Sequence, residues 1–504
     1  MKKIFAWLDG HWWVVSLLSG IGVFVVTMLL SLGRSVWFDE GYSIYLAQQD
    51  LQSLLAFTAV DAHPPLYYII LKFWGELFGF SELALRSLSA IFAGLSVGLG
   101  LGLTKRLFGL RAGLMAIPVV VLAPFILRYG YEVRMYSLAA LIGVAGTYSM
   151  ILAMHTKKAI WWVLYAVLVA LGMYTLYVSV VIWLAHLIWL AWHSSREEIP
   201  VRHWTWAWAY VGSVILFLPY MLTFFSQLLN SVLSGVGTEV TLTTLVDLFT
   251  IFFIFTPEWR VGGWESLVLG LVLVGLILAT IIAFRRVEAE KRGYLYLYLG
   301  LIVVPMLVFA IMSLQPREAI FLPRYMAHVA VFVYLFIAVI LSITVGSVRR
   351  RRVVYGLYMA VIFVFCYGVG VLTVGGNVIF EQIKTPMAKQ ISEQLQTREL
   401  RCSDQVTVVA DEPYFYIDSF FYYQDCDLYY YLDRDNDRRG GYAPLKNSQQ
   451  YQIREASEIN SRYLVHLHGE IVYMDVDERY ELVERIEMDK QFADIYKLSI
   501  QQNN

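Results

Sequence analysis

Adjacent carboxylates follow the first apolar segment of the chain, in the stretch SVWFDEGYSIYLA. Asp39 and Glu40 lie just past an apolar run that extends from about Trp12 to Leu32. Two neighbouring acids repel each other, and a carboxylate near a low-dielectric boundary is costly unless it is paired or used. A carboxylate in this position can act as a general base toward a hydroxyl group. The pair therefore marks a candidate catalytic site.

Three further polar stretches lie beside apolar segments: DAHPPLYY (61–68), RYGYEVRMYS (128–137) and QPREAIFLPRY (315–325). Taken singly, such residues are typical of interface anchors at helix ends, where Arg snorkels and Tyr and Trp gather. Together they supply Glu132 and the arginines Arg134, Arg317 and Arg324. Arginine binds phosphate through charge-assisted, bidentate hydrogen bonds. The set indicates transfer of a group from a lipid-linked phosphate to a hydroxyl acceptor, and the chain has no Walker or dinucleotide-binding motif.

The composition is that of a polytopic membrane protein. Of the 504 residues, 58% are hydrophobic and only 16% are charged, whereas soluble domains carry about 25% charged residues. The net charge of -1 and the lack of a basic domain exclude nucleic acid as an expected partner. The apolar run after the initial MKK is too long for a signal-peptide core, so we expect an uncleaved first transmembrane helix.

Apolar windows of about 20 residues predict a polytopic α-helical fold with about eleven spans. They cover residues 12–33, 84–104, 112–128, 137–155, 160–174, 176–193, 204–223, 264–284, 294–313, 325–346 and 353–374. The fifth and sixth form one apolar run with a predicted tight hairpin near Gly172 to Tyr177. The segment 240–256 is short and contains Asp247, which favours an interfacial or re-entrant helix over a span.

Basic residues give the orientation, because Lys and Arg concentrate in cytoplasmic loops. One set of loops contains 17 of them: Lys2, Lys3, Lys105, Arg106, Arg111, Lys157, Lys158, Arg196, Arg202, Arg285, Arg286, Lys291, Arg292, Arg349, Arg350, Arg351 and Arg352. The opposite loops are longer and contain eight: Arg34, Lys72, Arg86, Arg128, Arg134, Arg260, Arg317 and Arg324. We expect a cytoplasmic N-terminus in the plasma membrane, with the polar stretches and the C-terminal segment on the extracytoplasmic face.

Two domains are predicted: residues 1–375 form the transmembrane domain, with interfacial helices in the 34–83 and 224–263 loops, and 376–504 form a small extracytoplasmic α/β domain. The stretch DQVTVVADEPYFYIDSFFYYQ predicts a buried strand followed by a helix, and DLYYYL and RYLVHLHG predict further strands. Cys402 and Cys426 could form a disulfide in an oxidising compartment, and the sequence leaves their redox state open.

The motifs FDEG, HPPLYY, ELALRSLSA, EVRMYSLAAL and LPRY occur in this order along the chain. Across roughly residues 10–375 the chain resembles the GT-C glycosyltransferases, in particular the family 39 branch of protein O-mannosyltransferases and lipid A aminoarabinose transferases. The resemblance implies a polyprenyl-phosphate-linked sugar donor, membrane lipid around the site, an extracytoplasmic active site and inversion at the anomeric carbon. The acceptor hydroxyl could belong to a protein, a lipid or a polysaccharide.

The resemblance also assigns residue roles. It implies catalytic roles for Asp39, Glu40 and Glu132, with Asp39 as the base and Glu40 orienting the site or the acceptor. It implies substrate binding by His63, Arg134, Tyr136, Arg324 and Tyr325, with Arg324 on the donor phosphate. The chain departs from the family pattern at Tyr131 and Val133, where Gln and Ala are frequent. Some relatives use a divalent metal ion, for which Asp39, Glu40 and Glu132 are the candidate ligands, and the sequence leaves this open.

Two other functions compete with transfer. A transporter or lipid flippase would show an inverted repeat with broken helices and charges at the membrane midplane, whereas here the acids gather at one face and no repeat is seen. A noncatalytic scaffold that displays the C-terminal domain would not need these acids. Their mutation therefore separates the three hypotheses.

Overall fold

A computed structural model describes residues 2–61, 63–194, 205–229, 241–256, 261–312, 322–374, 387–401, 403–411, 413–432 and 440–499. Its contacts divide the chain into two compact units. The helical unit consists of Met1–Ser31, His63–Tyr67 and Arg86–Val374, and the sheet unit of Leu32–Ala62, Tyr68–Leu85 and Gly375–Asn504. The contacts thus group the first long loop with the C-terminal segment. The sequence-based division at residue 375, which stays a prediction, assigns that loop to the helices.

The described residues form nineteen α-helices, numbered here in chain order. The first ten are α1 (Lys2–Gly10), α2 (Trp12–Ser31), α3 (Phe38–Gln48), α4 (Leu51–Val60), α5 (Leu66–Phe78), α6 (Glu82–Phe108), α7 (Leu110–Val121), α8 (Pro124–Gly130), α9 (Tyr136–Thr156) and α10 (Ala159–Thr175). The others are α11 (Val180–Ser194), α12 (Thr205–Leu229), α13 (Leu242–Ile254), α14 (Gly263–Arg286), α15 (Ala289–Met312), α16 (Ala330–Ser347), α17 (Arg351–Val374), α18 (Ala388–Thr397) and α19 (Pro413–Ser419).

The helices confirm a polytopic, multi-pass fold. In the described part of the chain, eight helical segments are long and apolar enough to cross a membrane, or nine if the bent pair α7 and α8 forms one span. Each of the eleven predicted segments overlaps at least one helix. Helix α10 has 17 residues and α11 has 15, fewer than the ~20 that a straight crossing needs. The count of eleven crossings and the orientation therefore stay predictions.

The predicted span 112–128 is not one straight helix. Helices α7 and α8 meet at an angle of 57°. Pro124 begins α8, and the preceding Ala123 is extended, with a ψ of 105°. A proline disfavours helical backbone in the residue before it, so α7 cannot continue through this point. Helix α8 consequently starts in a new direction and leads into the non-helical residues 131–135.

Helices α2 and α6 cross at glycines. A Cβ added to Gly20 would lie 2.6 Å from the carbonyl oxygen of Gly94, and one added to Gly98 would lie 3.1 Å from that of Ser16. Gly94 and Gly98 are four residues apart and so occupy one face of α6. Small residues at this spacing let two helix backbones approach closely within a membrane.

Replacing Gly20 with alanine is expected to lower the stability of the protein, because the new methyl group meets a backbone carbonyl that cannot rotate away. Such overpacking costs about 1–3 kcal/mol. Gly22→Ala is the matched control, since the nearest neighbour of its Cβ is 4.0 Å away. Thermal denaturation in detergent measures both variants, and equal melting temperatures would contradict the close crossing.

The sheet unit contains a mixed six-stranded sheet in the order β3-β2-β1-β4-β6-β5. Its strands are β1 (Val406–Ala410), β2 (Leu428–Tyr431), β3 (Gln452–Ile453), β4 (Tyr463–His468), β5 (Tyr480–Met488) and β6 (Gln491–Leu498). Strands β1 to β4 pair in parallel, and β6 pairs antiparallel with β4 and β5. The predicted α/β domain is thereby confirmed. The three strands predicted from the sequence correspond to β1, β2 and β4, and the predicted helix corresponds to α19. Cys402 lies outside the described residues, so its pairing with Cys426 stays open.

Candidate functional site

In the helical unit, a short non-helical link joins α8 to α9. It carries Tyr131, Glu132, Val133 and Arg134, all of them buried. Within it the backbone N–H of Arg134 donates to the carbonyl oxygen of Glu132, at 2.6 Å. Irregular backbone at membrane depth is tolerated where it is buried in protein or lines a cavity. The break after α8 therefore brings an acid and an arginine into the interior of a largely apolar unit.

Glu132 forms a buried ion pair with Arg128. One guanidinium nitrogen of Arg128 lies 2.8 Å from Oε2 of Glu132, and the side chains are only 5% and 1% exposed. Desolvating two charges is expensive, and removal of one partner is far more costly than loss of a surface pair. Glu132, a predicted catalytic residue, thus has at least a structural role in holding the link against α8.

The Tyr131 ring lies close to two guanidinium groups. The Cζ atoms of Arg86 and Arg128 lie 5.8 and 5.2 Å from its centroid, within the range of cation–π attraction. Arg86 is 1% exposed and donates to the carbonyl oxygen of Ser31, at 3.1 Å. The pattern of basic residues indicated Arg86 only as a loop charge, although an arginine inside the apolar motif ELALRSLSA was the available signal. Tyr131, which stands where the resemblance leads us to expect glutamine, is here a partner for arginine.

The structure brings the predicted residues His63 and Arg134 together. A guanidinium nitrogen of Arg134 lies 3.3 Å from Nε2 of His63. Because guanidinium only donates, Nε2 must be the acceptor, and the neutral ring carries its proton on Nδ1. The HPP turn thereby orients the Arg134 side chain.

Arg324 and Tyr325 lie on a 3₁₀ helix, Pro323–Val329, that packs against α9. Arg324 is half-buried, and the Tyr325 ring stacks on Phe309 with 6.2 Å between centroids. Tyr136, the first residue of α9, lines a small cavity together with Ala327 of this 3₁₀ helix. The elements that carry Tyr136 and Arg324 are therefore neighbours. Gln315 and Arg317 fall outside the described residues.

Asp39 and Glu40 belong to the sheet unit, where they occupy the first turn of α3. Glu40 is 1% exposed, and Asp39 is partly buried. Negative charge is favoured in the first turn of a helix, where the macrodipole is positive. The predicted proximity of Asp39 to Glu132 and Arg324 stays a prediction.

The candidate metal ligands belong to both units: Asp39 and Glu40 to the sheet unit, and Glu132 to the helical unit. Among the residues that the structure describes, no group of three or more His, Cys, Asp and Glu side chains is arranged to hold a metal ion. A divalent ion, which some relatives use, stays an open alternative for Asp39, Glu40 and Glu132.

Comparisons with known proteins identify the fold. A sequence model of the family described as dolichyl-phosphate-mannose-protein mannosyltransferase matches residues 62–223. ArnT from Cupriavidus metallidurans is similar to this chain in its apo state (14% identity, 97% of this chain and 98% of that chain, TM-score 0.58). The structure of the same protein bound to undecaprenyl phosphate is also similar to this chain. It is 15% identical over 97% of this chain and 98% of that chain, with a TM-score of 0.57.

A third solved structure extends the comparison to an oligosaccharyltransferase. AglB from Archaeoglobus fulgidus, in complex with an inhibitory peptide and a dolichol-phosphate, is 11% identical over 92% of this chain and 70% of that chain, with a TM-score of 0.52. A search of curated protein sequences gives no match. The chain thus has the ArnT-like GT-C fold, and the resemblance indicated by its motifs is confirmed.

Proposed function

We propose that the chain is a membrane glycosyltransferase that moves a sugar from a polyprenyl-phosphate donor to a hydroxyl acceptor on the extracytoplasmic face. The observation that carries this proposal is the set of residues inside the family-matched segment 62–223. There the paired His63 and Arg134 and the buried Glu132 occupy the motif positions expected of a lipid-phosphate sugar transferase. The shared fold with an ArnT structure bound to undecaprenyl phosphate supports the donor class.

Asp39 is the proposed general base. Its carboxylate takes the proton of the acceptor hydroxyl as that oxygen forms a bond to the anomeric carbon, opposite the phosphate. The bond between the anomeric carbon and the phosphate oxygen breaks, and its electron pair leaves with the phosphate, so the configuration inverts. Glu40, the next residue of α3, orients the acceptor.

The departing polyprenyl phosphate is an anion and needs positive charge rather than a proton. We assign this charge to Arg324, and Arg134 is the second candidate. Arg128 is already engaged by the carboxylate of Glu132, at 2.8 Å, which makes it a weaker choice for phosphate. Tyr136 and Tyr325 are the other residues that we propose to bind the donor.

A lipid flippase remains a second candidate because of one observation. The 57° break between α7 and α8 is of the kind that transporters use to build sites from discontinuous helices. A flippase would move the lipid-linked sugar without breaking the sugar–phosphate bond. The two functions therefore differ in their products.

Replacing Arg324 with glutamine is expected to raise the KM for the donor. Loss of a charge-assisted hydrogen bond costs about 1.5–3 kcal/mol, or roughly 10–100-fold. Arg324→Lys should recover only part of the affinity, because lysine keeps the positive charge but cannot form the two parallel hydrogen bonds of a guanidinium group. Arg286→Gln, in the last turn of α14, is the control. Steady-state transfer assays measure all three, and a donor KM unchanged in Arg324→Gln would contradict the assignment.

Mass spectrometry of a strain that lacks the protein tests the function and identifies its substrates. We expect one glycan to disappear from a protein, lipid or polysaccharide, and its polyprenyl-phosphate-linked sugar to accumulate. Unchanged glycans in that strain would contradict the proposed transferase.

A further inference from the structure

Helix α3, which carries Asp39 and Glu40, is held by a part of the chain far away in sequence. Within the sheet unit, α3 packs against α19, the 3₁₀ helix Phe420–Tyr423 and the 3₁₀ helix Gly440–Tyr451. An isolated helix of 11 residues is marginally stable. The orientation of its two acids therefore depends on these tertiary contacts.

The closest contact is between backbones and lies directly after the acids. A Cβ added to Gly41 would lie 2.3 Å from the carbonyl oxygen of Ile417 and 3.3 Å from its carbonyl carbon. Because both groups belong to regular helices, neither can move without displacing its helix. Only glycine allows α3 to sit this close to α19.

Two contacts fix the start of α3. The ring of Phe38 stacks on that of Tyr414, with 4.6 Å between centroids and 6° between planes. The backbone N–H of Val36 donates to the hydroxyl oxygen of Tyr422, at 2.7 Å. The residues on both sides of the helix start are thus tied to the 413–423 segment, which comprises α19 and the following 3₁₀ helix.

Tyr422 is itself anchored. Its hydroxyl donates to Oε1 of Glu82, at 2.6 Å, and the ammonium of Lys389 lies 2.8 Å from Oε2 of the same carboxylate. Burial, together with the charge of Glu82 and the hydrogen bond to it, raises the pKa of Tyr422 well above its ordinary value. The hydroxyl therefore stays protonated and can accept from Val36 while it donates to Glu82.

The far end of α3 is also fixed. The hydroxyl of Tyr45 hydrogen-bonds that of Ser448, and its ring meets Phe420 edge-on with 5.3 Å between centroids. Contacts at both ends and in the middle therefore hold the helix in one orientation within the sheet unit.

We infer that the 413–423 segment is a positioning element for catalysis, which sets the place of the Asp39 carboxylate through Gly41, Phe38 and Val36. The inference rests on the proposed function, in which Asp39 is the base. Catalytic groups must be held within about 0.5 Å of their productive position, and a displacement of ~1 Å can cost about 10²-fold in rate. The inference gives the C-terminal domain a role in the reaction, with Gly41, Tyr414 and Tyr422 as positioning residues.

Two variants test the inference in the purified, full-length protein. Gly41→Ala pushes α3 away from Ile417, and Tyr422→Phe removes one hydroxyl and keeps the ring. Each has a matched control: Gly270→Ala, where an added Cβ would have no neighbour within 4 Å, and Tyr473→Phe, at a residue that is 55% exposed. We expect both test variants to lower kcat by roughly 10–100-fold, with the donor KM unchanged and the controls at wild-type values.

Hydrogen exchange of the α3 amides is measured in parallel, because it does not depend on activity. Faster exchange in Tyr422→Phe with a lowered kcat supports the inference. Faster exchange with a wild-type kcat overturns the catalytic role, and unchanged exchange overturns the anchoring itself. If the wild-type protein transfers no sugar, the proposed function fails and this inference fails with it, while faster exchange would show that the anchoring persists as a structural contact.

Discussion

Replacing Asp39 with asparagine is expected to lower kcat by about 10²–10⁴-fold, the contribution of a positioned general base. The amide is nearly isosteric and keeps hydrogen bonding, but it cannot take the acceptor proton. The donor KM should stay near its wild-type value, because the base acts on the acceptor. Sugar transfer from a polyprenyl-phosphate donor by the purified protein measures both constants.

Asp50→Asn is the matched control. Asp50 lies in the same loop and caps α4 by accepting from the N–H groups of Gln52 and Ser53, at 2.9 and 3.0 Å. Asparagine is an equally good N-cap, so this variant should keep wild-type activity and stability. Full activity in Asp39→Asn would remove the mechanism, and loss of transfer in a folded protein would retire the scaffold hypothesis.

Replacing Glu132 with alanine is expected to give the largest loss of stability. It leaves the buried guanidinium of Arg128 without its carboxylate, a change that costs about 3–5 kcal/mol. Glu76→Ala is the control, because Glu76 forms an equivalent (i,i+4) pair with Lys72 at 2.7 Å but is 49% exposed. Such exposed pairs contribute only about 0.3–0.5 kcal/mol. Thermal denaturation in detergent compares the two variants.

A double replacement separates the effect of the buried charges on stability from a role of Glu132 in sugar transfer. Arg128→Met combined with Glu132→Leu removes both charges and should recover much of the stability lost in Glu132→Ala, because apolar pairs replace buried ion pairs at little cost. Sugar transfer should not recover if Glu132 also acts in the site. A Glu132→Ala variant as stable as Glu76→Ala would show that the pair is not buried in solution.

Local patterns were sufficient to predict the long apolar helices and three of the strands. Apolar runs of about 20 residues indicated the spans, and the alternating or continuous apolar stretches VTVVA and YLVHLH indicated β1 and β4. The break before Pro124 was readable from the same sequence, because proline restricts the residue before it. An averaged apolar window conceals such a break, which is why 112–128 was predicted as one span.

Charged edge strands and distant contacts were not predictable in this way. Strand β5 contains YELVERIEM, in which exposed Glu and Arg obscure the alternation that marks a half-buried strand. The contact of Gly41 with Ile417 and the hydrogen bond of Val36 to Tyr422 join residues more than 370 positions apart. No local period encodes such pairs. The need for glycine at position 41 can be recognised only once its neighbour Ile417 is known.

The site was partly predictable for the same reason. The motifs supplied His63, Glu132 and Arg134 as candidates, but only coordinates show that His63 meets Arg134 and that Glu132 meets Arg128. Arg86 was missed because one arginine in an apolar motif is usually an interface anchor. Burial and its place beside Tyr131 distinguish it.

A product analysis of the reconstituted protein distinguishes sugar transfer from lipid transport. Purified protein in vesicles receives a polyprenyl-phosphate donor whose sugar and lipid carry separate labels, together with the acceptor found by mass spectrometry. We expect one free polyprenyl phosphate for each sugar attached to the acceptor, with inverted anomeric configuration, and neither product from Asp39→Asn. Passage of the intact donor across the bilayer with its sugar–phosphate bond unbroken would contradict it.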